Sequence, residues 1–109
     1  MSSLTTLARP YAKAAFEVAR DEDALAAWDE ALAIAAAVVS DATMAAWLTS
    51  PEQDTQNAIA LIEDAAKGDL DPAFKRFLAV MGNNDRLPLL PEVSKLYSEL
   101  REEAENRLK

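Results

Sequence analysis

The residues able to do acid–base chemistry in this sequence are carboxylates, and they come as adjacent pairs. Glu22 sits beside Asp23, Asp29 beside Glu30, Glu63 beside Asp64 and Glu102 beside Glu103. Two carboxyls acting as acid and base must converge on one reacting centre. Neighbours on a helix point about 100° apart, so none of these pairs converges, and each reads as a solvated face. Histidine and cysteine are absent. Without them a Cys–His or Ser–His nucleophile pair cannot be built, and a di-metal bundle lacks its Glu-x-x-His pairs. The run Asp21-Glu22-Asp23 has neither the alternating ligands nor the glycine of a calcium loop. Only two glycines occur, Gly68 and Gly82, so no glycine-rich phosphate loop is available. No catalytic centre, metal site or cofactor is expected.

What remains is surface recognition, and composition narrows the kind. The formal net charge is −8 with no basic stripe, which disfavours nucleic acid and anionic lipid, since both are bound by Lys and Arg. The longest apolar run, Ala31 to Val39, is far shorter than the ~20 residues that cross a bilayer. No basic segment followed by an apolar block opens the chain, so no signal peptide is expected. The lack of cysteine means no disulfides, which suits the cytoplasm.

The 109 residues suffice for one core, and half of them are hydrophobic. Alanine is abundant while valine, isoleucine and threonine are sparse, a balance that favours helices over strands. The expected architecture is all-α, a compact bundle of about six helices with short turns. The first helix opens near Ser3 to Thr6, with Pro10 in its early turns. Asp21-Glu22-Asp23 caps a second helix running from about Asp23 to Val39 and burying Trp28 and Leu32. Asp41 caps a short third helix carrying Met44, Trp47 and Leu48. Ser50-Pro51-Glu52-Gln53 reads as a capping box for a fourth helix from about Pro51 to Lys67, closed by Gly68 at C′. Asp71-Pro72 starts a fifth helix that ends near Asn83. After the apolar connector Leu87 to Pro91, a sixth runs to about Leu108 with a narrow seam of Val93, Leu96, Tyr97, Leu100 and Ala104.

Two of these helices are apolar over more of their circumference than one core contact uses. On helix one, Leu7, Ala8, Tyr11, Ala12, Ala14, Ala15, Phe16, Val18 and Ala19 cover roughly 200°, against the ~100° of a surface helix. On helix five, Ala73, Phe74, Phe77, Leu78, Val80 and Met81 cover roughly 160°. Either the chain encloses both helices itself, or part of each arc forms an apolar groove for an amphipathic partner helix. Self-association through the same faces is a further possibility.

The blocks ARPYAKAAFEVA and VMGNNDRLPLLPEVSKLY, Trp28 in helix two and the Ser50-Pro51 helix start together resemble the N-terminal domain of the δ subunit of bacterial F-type ATP synthase. That family includes the mitochondrial oligomycin-sensitivity-conferring protein. The resemblance covers the whole chain in order. It implies a six-helix domain over residues 1–105, with 106–109 starting a linker to a C-terminal domain absent from this sequence. It also implies a non-catalytic stator subunit of the peripheral stalk, on the cytoplasmic side of the inner membrane, that holds the catalytic head against rotor torque. The partner would be the N-terminal amphipathic helix of an α subunit, held between helices one and five. Carried onto this sequence, the groove would use Tyr11, Ala14, Ala15, Val18, Phe77, Leu78, Val80 and Met81. Contact with the b subunits would belong to the C-terminal domain.

Overall fold

A computed structural model describes residues 3–48, 50, 54–68 and 70–107. Among them six α-helices occur and no strand. These are α1 (Ser3–Asp21), α2 (Leu25–Ser40), α3 (Ala42–Leu48), α4 (Thr55–Ala65), α5 (Pro72–Asn83) and α6 (Leu90–Arg107), the last preceded by a 3-10 turn at Leu87–Leu89. The all-α expectation holds. The central element is α6, which packs along both α1 and α2. Its approach to α1 is made possible by small residues: Ala8, Ala12, Ala15 and Ala19 recur at helical spacing and are each fully buried. Opposite them α6 buries Leu90, Val93, Leu96 and Tyr97. The expected seam is recognisable there, with Leu100 and Ala104 half-buried at its outer end.

Helix starts follow local side-chain chemistry. The Asp41 carboxylate accepts from the backbone N–H of Thr43 and Met44, at 3.1 and 3.2 Å, and opens α3. Asp71 accepts from Ala73 N at 3.0 Å with Pro72 at the first helical position, as expected. At α4 the structure differs from the expected start. The cap is Asp54, whose carboxylate accepts from Gln56 N at 2.9 Å, and the helix begins at Thr55. Residues 51–53, which carried the expected capping box with Ser50, lie outside the described residues.

Helix ends explain the other differences. Three helices close with paired backbone bonds around a non-glycine residue in the left-handed region. After α1, Asp23 has φ 55°, with Ala24 N bonded to Ala19 O at 2.8 Å and Asp23 N to Arg20 O at 3.0 Å. Asp23 therefore ends the first helix and does not cap the second, which starts at Leu25 behind Ala24 with no side-chain cap. After α4, Lys67 (φ 59°) takes the C′ place expected for Gly68, and Gly68 N closes the motif on Glu63 O at 2.9 Å. After α5, Asp85 (φ 57°) does the same, and Arg86 N reaches Met81 O at 2.7 Å. Pro10 lies two turns inside α1, deeper than expected, on its exposed side where water reaches the backbone. Asn106 and Arg107 continue α6.

Two polar ties fix α6 on the start of α2. The Tyr97 hydroxyl donates to the Leu25 carbonyl at 2.6 Å, and its ring meets Phe16 edge-on at 6.1 Å. Burial first, then the nearby Asp29 carboxylate, push the Tyr97 phenol well above the usual tyrosine range. Asp29 itself accepts from Ser98 Oγ at 2.7 Å and from Arg101 Nη1 at 2.9 Å.

Two stability predictions follow from this packing. Tyr97→Phe removes the side-chain donor that ties α6 to the Leu25 carbonyl and should cost about 1 kcal/mol in urea unfolding, with the helical circular dichroism unchanged. Gly82→Ala, a change that ordinarily stabilises a helix, should instead destabilise by about 1–3 kcal/mol. A Cβ there would run into the Thr55 side chain, including its Cβ at 3.1 Å, which no rotation about χ1 moves away.

Candidate functional site

The wide apolar arc of α1 is divided in two by the fold. One half is the alanine seam against α6. The other half, Leu4, Leu7, Tyr11, Ala14 and Val18, repeats at alternating spacings of three and four and faces outward. Leu4, Leu7 and Val18 keep 54%, 43% and 41% of their surface exposed. Ala14 is exposed and Tyr11 half-buried.

Helix α5 lies beside this stripe and runs antiparallel to α1, as two end contacts establish. Asn84, at the end of α5, donates from Nδ2 to the Tyr11 hydroxyl at 3.2 Å. At the other end the Glu22 carboxyl, just past α1, lies close enough to that of Asp71, the cap of α5, for each to shift the other. Between these ties each helix contributes about 17–20 Å of length at 1.5 Å per residue. In that interval α5 offers Val80, 53% exposed, and half-buried Phe77. Phe77 rests on the buried ring of Trp28 at 5.8 Å, edge-on, and Phe74 meets the same indole at 5.1 Å. The rim of the face is thus seated directly on the aromatic core.

The eight residues expected to line a groove fall into two groups. Tyr11, Ala14, Val18, Phe77 and Val80 reach the surface along the α1/α5 pair. Ala15, Leu78 and Met81 are fully buried and form the floor behind it, so they are corrected from lining to support. The reason is angular: Ala15 belongs to the seam that meets α6, and Leu78 and Met81 point from α5 into the core. Sequence reasoning missed Leu4 and the full outward stripe, although the three–four spacing from Leu4 to Val18 was available to be counted. It also missed the pairing of Glu22 with Asp71, which only the fold brings together.

Electrostatically the Glu22 end is distinctive. The hydrogen bond with Asp71 raises the Glu22 carboxyl above the ordinary glutamate range and holds that of Asp71 below the ordinary aspartate range. Arg76 lies close enough to favour the charged form of both. The buried indole N–H of Trp28 also favours those charged forms, without closing a hydrogen bond of good geometry. Among the described residues no group of three His, Cys, Asp or Glu could hold a metal ion. Nor is any single helix there long and apolar enough to cross a membrane. The arrangement is an open apolar face between two helices, suited to burying a third.

Residues 7–109 match the family model described as the ATP synthase delta (OSCP) subunit. Relatives named ATP synthase subunit delta include that of Stenotrophomonas maltophilia, 48% identical over 109 residues, which are all of this chain and 61% of the relative. The protein of Thioalkalivibrio sulfidiphilus is 45% identical over 108 residues, 99% of this chain and 61% of the relative. That of Alcanivorax borkumensis is 45% identical over 100 residues, 92% of this chain and 56% of the relative. The chain therefore spans about three-fifths of the length of the curated relatives it matches. With nearly the whole chain matched to the model and close to half its residues identical in these relatives, the protein belongs to the ATP synthase delta (OSCP) subunit family.

Proposed function

We propose that this chain is a non-catalytic component of the peripheral stalk of an F-type ATP synthase, and that its α1/α5 face holds the N-terminal amphipathic helix of an α subunit. The observation that carries this reading is the outward stripe of Leu4, Leu7, Tyr11, Ala14 and Val18 beside Val80 and Phe77. A second apolar seam at coiled-coil spacing, on a helix whose first seam is already filled, is what a partner helix requires. Residues 1–105 then form the head-binding domain. Contact with the b subunits of the stalk belongs, on this reading, to a C-terminal domain beyond residue 109.

The work is mechanical. As the rotor turns during proton-driven synthesis, the catalytic head must be prevented from turning with it. A docked helix resists by keeping apolar area out of water, at about 1.5–3 kcal/mol for each large side chain fully buried, less the cost of ordering the peptide. No bond needs to be made or broken by this chain. Its acidic surface accelerates encounter with a partner that has basic flanks, an effect that salt weakens. The complex works at the cytoplasmic side of the inner membrane, this chain being peripheral to the bilayer.

A synthetic peptide of the α-subunit N-terminus, titrated while Trp28 emission is followed through its contact with Phe77, should give saturable 1:1 binding. Ala14→Asp and Val80→Asp place a carboxylate in the seam at solvent-exposed positions, so both should fold normally and bind at least about tenfold more weakly, a loss of 1.4 kcal/mol or more. Dimerisation that depends on concentration, with no response to peptide, would assign the face to a second copy and defeat the reading.

A further inference from the structure

We draw no further inference here: the strongest candidate, the apolar cleft between α2 and the end of α4 lined by Ala27, Ala31, Ile34, Ala66 and Leu70, carries nothing because no feature of the structure shows what covers it.

Discussion

The close approach of α1 to α6 is the contact on which the remaining geometry depends. Four alanines, Ala8, Ala12, Ala15 and Ala19, are completely buried along it. Alanine loses no side-chain freedom on burial, so this seam brings two backbones together with little entropic penalty. The seam also sets the rotation of α1 about its own axis. With the alanines turned to α6, the larger residues Leu4, Leu7, Tyr11 and Val18 can only face outward, beside α5. A bulkier residue in the seam would push α6 away and turn that stripe off its line.

The bulk missing from the α1 seam is supplied elsewhere. Trp28, Phe74 and Phe77 form one edge-packed group, and Trp28 and Phe74 are nearly fully enclosed. This group sets the position of α5 against the start of α2, and therefore the position of Val80 relative to the α1 stripe. Lys75 pairs with Glu63 at 2.9 Å and ties α5 back to α4, while Gly82 lets the start of α4 lie against the end of α5. The exposed face is thus mounted on rigid, packed elements. Stiffness there comes from packing density rather than from any strong single bond.

At the far side of the bundle α6 is pinned by polar groups. Asp29 receives both Ser98 and Arg101, and Arg101 also lies 3.3 Å from Glu105. Asp29 and Arg101 are about three-quarters shielded from water, so their pairing is screened less than an exposed ion pair. The charged last turns of α6 are thereby anchored to α2 through Asp29, one turn after the carbonyl that receives Tyr97.

The sequence by itself determined the fold class, the lack of histidine and cysteine chemistry and the wide apolar arcs of α1 and α5, and it left open whether the chain covers those arcs itself. Alanine-rich composition with helical periodicity dictates helices, and a chain without histidine or cysteine lacks the usual catalytic side chains, whatever its shape. Asp71-Pro72 and Asp41 were legible as helix starts because a cap acts within a few residues of its own position. Asp23 and Lys67 were not legible as helix ends: a left-handed closing residue is normally sought as glycine, and the same aspartate has the right chemistry to begin a helix. How the arc of α1 is divided between Ala15, sealed, and Ala14, exposed, was likewise beyond periodicity. Those neighbours are the same residue type, and only the direction from which α6 arrives separates them. The meeting of Glu22 with Asp71 and of Tyr11 with Asn84 is a property of the tertiary structure alone, because local rules carry no information about contacts between residues some fifty and seventy positions apart.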